Sequence, residues 1–439
     1  MKRFPVTLSA TASVAFATLL ALSGCATNPV TGKSQVVLMS EQQELELGKA
    51  YYPITTQLSE GVLPHREVQN LVTRVGMSMA RASERPNLPW EFNVVDSNEP
   101  NAYALPGGKL SITRGLISKM ESEDQLASVL GHEIGHVTAR HSVVSASRSQ
   151  LLGLLLGVGG AVLQTQGVPG AGAIELAGQV GAALLTTKYS RDQERQADEL
   201  GFKYMTAAGY NPRAFVETMQ ILASAAQREP SRFENLFASH PMTSERIATA
   251  EQRLASAAAA ESRNRPPRTS DFQRAIGPLK EEAPAFALAD EAKELARNRR
   301  TREAAERLER AVSMVPNSPI LNALWGDTLY DLADYGRSEQ VSDRANSLNP
   351  ELFYGRLVNG AANWRLRDLR EAIDQLRIAE RLVPDTYLVA YFAGRTLEDA
   401  GDRRAAAEQF AKVAQATQGQ GEYGQYAMTR LREWGYLTQ

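Results

Sequence analysis

Between residues 40 and 82 the apolar positions recur at helical spacing, as in Leu45, Leu47, Leu71, Val72, Val75 and Met79, with Pro53 and Pro64 read as breaks. Trp90-Glu91-Phe92-Asn93-Val94-Val95 alternates as a strand does, and Lys109 to Thr113 alternates again after the turn signal Pro106-Gly107-Gly108. A small sheet beside helices follows from this. Ser122-Glu123-Asp124-Gln125 has the form of a capping box opening an amphipathic helix through Leu126, Val129, Leu130 and Val137. Ser190-Arg191-Asp192-Gln193 has the same form and opens a second helix that should end near Gly209. Between the two lies Leu151 to Leu185, rich in Leu, Val, Ala and Gly, whose densest run is too short to cross a bilayer. It reads as buried or membrane-brushing helices.

Beyond residue 284 the pattern repeats itself. Pro316, Pro350 and Pro384 are each 34 residues apart, as are Gly326, Gly360 and Gly394, and Ala311, Ala345 and Ala379. Ala304, Ser338, Ala372 and Ala406 keep the interval, and so do Leu308, Ser342, Leu376 and Phe410. Small residues at fixed positions let paired helices approach, larger ones fill the space between pairs, and proline ends the second helix. This is the tetratricopeptide period. About four repeats are expected from Ala285 to Gln418, closed by a helix through Tyr426 and Leu431. The segment 261–284, with mixed charge and little periodicity, reads as a linker.

The ends and the composition narrow the functional classes. Lys2 and Arg3 precede an apolar stretch from Val6 to Leu22, the form of a secretory signal over residues 1–24. Leu22-Ser23-Gly24-Cys25 resembles the lipobox of bacterial lipoproteins. That resemblance implies acylation of Cys25, a lipidated tether over residues 25–39, and, because Ala26 and not Asp follows, anchoring of a periplasmic protein to the outer membrane. The 439 residues hold 48 basic and 50 acidic side chains, so no global positive charge points to nucleic acid. Cys25 is the only cysteine, which leaves His, Asp and Glu to build any metal site elsewhere.

Gly131-His132-Glu133-Ile134-Gly135-His136 contains the H-E-x-x-H pattern. On a helix, His132 and His136 lie one turn apart and aim at one point, with Glu133 beside that point as a general base. Gly131 and Gly135 permit close approach of another element. A catalytic zinc takes three protein ligands, so a third must come from elsewhere. Glu194 on the second helix is the best candidate, with Asp198 one turn later, yet by themselves the two read better as solvated carboxylates.

Four segments together change that balance: Asn101-Ala102-Tyr103-Ala104-Leu105-Pro106-Gly107-Gly108, Gly131 through His141, Glu194-Arg195-Gln196-Ala197-Asp198, and Ser239-His240-Pro241 with Arg246. In this order they resemble the zinc metallopeptidases of the HtpX and CAAX prenyl protease type, over about residues 40–255. The resemblance implies a zincin-like metallopeptidase domain with a small sheet at 40–260, and with the all-α tetratricopeptide solenoid read from the repeats at 285–439 the chain is expected to be α+β and mostly helical. It implies one Zn2+ held by His132, His136 and Glu194, Glu133 as the catalytic base, and Asp198 and Arg246 supporting the ligands. Asn101, Ala102, Tyr103 and Ala104 would form the edge strand that an extended substrate joins. In relatives bearing repeats, a histidine at the position of His240 can fill the open zinc position and hold the enzyme off. His141 and His65 read as structural or exposed.

The expected function is a zinc-dependent endopeptidase that degrades unfolded or misassembled outer-membrane proteins, with the repeats recruiting substrate or the β-barrel assembly machinery. A chaperone or assembly scaffold with a normally silent peptidase is the alternative.

Overall fold

The structure is a computed structural model and describes residues 25–147, 185, 187–256 and 262–437. The expected signal segment and most of the apolar stretch 151–185 lie outside the described residues.

Among the described residues a short hairpin comes first, β1 (Cys25–Thr27) with β2 (Ser34–Val36). After it, Val37 is buried against Val143 and Val144, and the Leu38 N–H bonds Ser147 Oγ at 2.9 Å. The segment expected to be a tether is therefore docked on the body of the protein. Helix α1 (Glu41–Leu58) starts at Ser40, whose hydroxyl and Gln43 form a reciprocal capping box. Pro53 was expected to break this segment, but it lies inside α1. Tyr52 and Ile54, buried on either side of it, hold the helix in place by tertiary contacts. Pro64 does precede a new helix, α2 (Arg66–Ala80).

Strands β3 (Glu91–Val95), β4 (Ala102–Leu105) and β5 (Lys109–Thr113) form a sheet in the order β3-β5-β4. β3 runs parallel to the central β5 and β4 antiparallel to it, which makes β4 an edge. Gly76 lets α2 press onto this sheet, since a Cβ there would stand 2.4 Å from the Phe92 ring. A single turn, α3 (Arg114–Ile117), leads to the central helix α4 (Glu123–Thr138), which is buried along nearly its whole length. Ser122 caps α4, although Gln125 turns its oxygen to the Glu121 N–H and so leaves the box half made.

Helix α5 (Arg191–Ala207) crosses α4 at three glycines. A Cβ at Gly131 would lie 3.1 Å from Gly201 O, one at Gly135 3.0 Å from Ala197 O, and one at Gly201 2.8 Å from His132 N. No side chain fits at this crossing, and the close approach brings the α5 carboxylates to the α4 histidines. Helices α6 (Arg213–Arg228), α7 (Glu234–Ser239) and α8 (Ser244–Ala255) complete the layer around α4.

The expected linker is replaced by structure. Helix α9 (Ser270–Arg297) runs through Pro278 and Pro284. Its first half buries Phe272, Ile276 and Leu279 in the same core as α2, α4 and α6, while Ala285, Phe286 and Ala289 belong to the core of the repeats. The first three of these apolar residues, at helical spacing, are hidden among charges, which is why local composition reads as a linker. Arg114 fastens the joint: Nε lies 2.7 Å from Asp96, Nη1 2.8 Å from Glu282, and the guanidinium sits 3.8 Å from the Phe286 ring centre. Helix α1 adds a second contact, packing Ile54 against Phe353 and Leu357.

The repeats are antiparallel helix pairs. Residues 285–297 of α9 pair with α10 (Thr301–Met314), α11 (Pro319–Asp331) with α12 (Tyr335–Leu348), α13 (Phe353–Arg365) with α14 (Leu369–Leu382), and α15 (Tyr387–Asp399) with α16 (Arg403–Thr417). Helix α17 (Gly421–Glu433) covers the end. Gly360 and Gly394 face Leu376 and Phe410 of their partner helices, where a Cβ would stand 2.7 Å away. Each turn within a pair carries a left-handed residue: Arg299, Ala333, Arg367 and Gly401, again 34 apart. The chain is thus α+β and mostly helical, and among the described residues no helix is long and apolar enough to cross a membrane.

Candidate metal centre

Four side chains from three separate parts of the chain converge: His132 and His136 of α4, Glu194 of α5, and His240 just after α7. One donor atom from each lies within 4.8 Å of all the others. His132 Nε2 stands 3.1 Å from His136 Nε2 and 3.3 Å from His240 Nδ1. Glu194 Oε1 is 3.2 Å from His136 Nε2 and 3.1 Å from His240 Nδ1. Donors arranged tetrahedrally at metal–nitrogen distances of about 2.0–2.1 Å are separated by about 3.3 Å. The cluster therefore has the size and the N/O donor set of a tetrahedral divalent-metal site.

The surroundings favour the ligating forms of Glu194 and His136, whereas the Glu133 and Glu194 carboxylates raise the His240 pKa against its burial. Burial alone would raise the Glu194 pKa, but His132, with hydrogen bonds to His136 and His240, holds it far below the carboxylate range. Burial lowers the pKa of His136, which favours the neutral ring that a metal requires. Asp198 Oδ1 lies 2.9 Å from His132 Nδ1 and orients that ring. Arg246 grips both Asp198 oxygens at 2.7 Å and donates to Pro241 O at 2.8 Å. Desolvation would raise the Asp198 pKa, but this guanidinium and His132 together outweigh it and keep the pKa low. Arg246 Nη1 also lies 2.7 Å from Glu194 Oε2, a charge contact without hydrogen-bond geometry.

Glu133 is buried beside the cluster, and its Oε2 has no hydrogen-bond partner among the described residues. An orphaned carboxylate oxygen next to a metal site is placed to take a proton from water. Its Oε1 is 3.7 Å from His240 Nε2.

The expected edge strand begins one residue later than anticipated. Asn101 precedes β4, and its Oδ1 accepts the Ala102 N–H at 2.9 Å. The Thr113 N–H bonds Asn101 O at 2.9 Å, so by alternation β5 engages residues 101, 103 and 105 of this segment. The peptide groups of Ala102 and Ala104 point away from β5. Tyr103 turns its hydroxyl to Ser59 at 3.0 Å, away from the metal cluster.

Two residues beside the site, Tyr189 and Gln196, were not foreseen, and His141 takes the structural of its two expected readings. His141 is buried, not exposed, with Nδ1 3.0 Å from His136 Nδ1 and Nε2 3.0 Å from Gln196 Oε1. Tyr189 lays its ring 3.8 Å from the centre of His136 and 5.2 Å from His240. In a chain with five histidines, one placed five residues after His136 was the available signal. His65, the fifth, lies away from the cluster and pairs with Glu282 at 3.2 Å.

Two imidazoles one helical turn apart, a carboxylate from a crossing helix and a buried carboxylate beside them define a metallopeptidase site. Residues 66–254 match the model of peptidase family M48, and tetratricopeptide-type helix pairs follow this part of the chain. The chain is similar to the beta-barrel assembly-enhancing protease of Yersinia pestis, 28% identical over 228 residues, 51% of this chain and 46% of that protein. The protein of that name from Escherichia coli (strain K12) is 29% identical over 230 residues, 52% of this chain and 47% of that one. The mitochondrial metalloendopeptidase OMA1 of Schizosaccharomyces pombe is 29% identical over 210 residues, 47% of this chain and 59% of that one. The chain spans about half the length of these relatives.

Proposed function

We propose that the protein is a zinc endopeptidase of the bacterial periplasm, anchored to the outer membrane through lipidated Cys25, that removes misassembled envelope proteins. The observation that carries the enzymatic part is the convergence of His132, His136 and Glu194 beside an orphaned Glu133 oxygen. Zinc, when bound, supplies a Lewis acid that acidifies water and polarises a carbonyl. Glu133 takes the proton of the attacking water and returns it to the leaving amine. An extended substrate adds to β4 through the peptide groups of Ala102 and Ala104. A cavity of about 60 Å3 between Val129, Phe215, Met219, Leu222 and Phe237, adjoining Glu133, receives an apolar side chain.

The relatives' name supports a role in β-barrel assembly, and helix-pair repeats suit recruitment of protein partners, either substrate or the assembly machinery. The signal and lipobox patterns support the location. One observation favours the second reading, a scaffold with a silent peptidase: His240 stands where the open metal position belongs.

The test is Glu133→Gln. It should leave zinc bound and abolish cleavage of an unfolded protein such as casein, whereas Glu194→Ala should lose zinc as well. Zinc lost equally from both would overturn these roles. Survival of the assembly phenotype in Glu133→Gln cells would favour the scaffold.

A further inference from the structure

Asp198 fixes the outer nitrogen of one ligand, His132, but the outer nitrogen of His136 faces a neutral side chain. His136 Nδ1 lies 3.0 Å from His141 Nδ1, and His141 Nε2 lies 3.0 Å from Gln196 Oε1. A carbonyl oxygen only accepts, so His141 carries a proton on Nε2, and in the neutral ring its Nδ1 is then an acceptor. His136 must then donate from Nδ1, which leaves the lone pair of its Nε2 directed into the metal cluster.

The backbone is shaped to put His141 there. Helix α4 ends at Thr138, and the chain reverses through Arg140, whose φ of 59° lies in the left-handed region that residues other than glycine rarely adopt. A buried clamp holds it: Arg140 Nε bonds Glu44 Oε2 at 2.9 Å, and Glu44 is itself held by Arg85 at 2.8 Å. From the other side, Gln193 Nε2 donates to His141 O at 3.1 Å. Residues from α1, from α5 and from the segment after α2 thus all determine where this imidazole sits.

We infer that His141 is a positioning residue of the metal centre that, with Gln196, selects the ligating tautomer of His136. The use of a neutral acceptor here and a carboxylate on His132 has a chemical consequence. An imidazole bonded to a neutral partner donates less charge than one bonded to a carboxylate, so the pairing holds the ring without weakening the metal as a Lewis acid.

This inference rests on the metal-centre reading above. The experiment compares His141→Asn, which keeps an acceptor at the position of Nδ1, with His141→Leu, which keeps bulk and removes the acceptor. Full-length proteins are stripped of metal, checked for unchanged unfolding temperature, and titrated with zinc against a competing chelator. His141→Leu is expected to weaken zinc binding about 10- to 100-fold, His141→Asn no more than about threefold, and Gln196→Leu to fall between them. Equal loss in the Asn and Leu variants, or no loss in either, would overturn the inference and leave the metal centre standing. A wild-type protein that takes up no zinc would overturn both.

Discussion

His240 Nδ1 lies 3.1 Å from Glu194 Oε1, and so a residue from the turn after α7 stands among the donors contributed by α4 and α5. The backbone holds it from two sides, through His240 N–H to Leu236 O at 2.8 Å and Tyr189 N–H to Ser239 O at 3.3 Å. Placed there, the imidazole would compete with water for the fourth position of the proposed zinc site.

His240→Ala is therefore expected to raise basal proteolysis, including self-cleavage, severalfold or more while weakening zinc binding. Casein digestion by wild type, His240→Ala and a Glu133→Gln control measures it. Activity at or below wild type would make His240 a passive or transition-state residue.

The first half of α9 should be part of the peptidase fold. Phe272 is completely buried in the core shared with α2, α4 and α6. Phe272→Ala should cost about 3–5 kcal/mol, as large-to-small changes of buried aromatics do. Chains cut after residue 269 should be insoluble or unfold at much lower temperature than chains cut after 297. Equal stability of the two truncations, followed by thermal denaturation, would restore a linker.

Asp327 on α11 gives the repeats a pH dependence. Burial pushes its pKa up to about 6, a hydrogen bond from Tyr354 at 2.6 Å pulls the other way, and Asp331 adds to the rise. Because the folded value is raised, the stabilising contribution is full below the ordinary carboxylate range near pH 4 and is lost as pH climbs through 6. Asp327→Asn should gain stability relative to wild type at pH 8, on the order of 3 kcal/mol, and only about a third of that at pH 4.5. Denaturant unfolding of both proteins at the two pH values reads this difference, and a difference independent of pH would refute it.

Cys25 tests the anchor. Cys25→Ala should block acylation and either move the protein to the soluble fraction or leave the precursor unprocessed. Intact mass and membrane fractionation unchanged from wild type would exclude lipidation.

Which parts were legible follows from the range of the forces involved. The caps at Ser122 and Ser190, the convergence of His132 and His136, and the 34-residue period all depend on residues within one helix or one repeat, so spacing alone reveals them. The left-handed turn residues Arg299, Ala333 and Arg367 kept the same period but were hidden because none is glycine. Tertiary structure decided the rest. Pro53 stays helical because its neighbours are buried, and α9 forms because a core many residues away accepts Phe272 and Ile276. His132 and His240 are 108 residues apart, and Glu194 reaches both only because three glycines let α5 close on α4. His141 turns inward because a buried Glu44 clamps the unusual backbone before it. A sequence determines which face each element offers, but which two faces meet depends on burial summed over the whole chain, and that is settled only when the core closes.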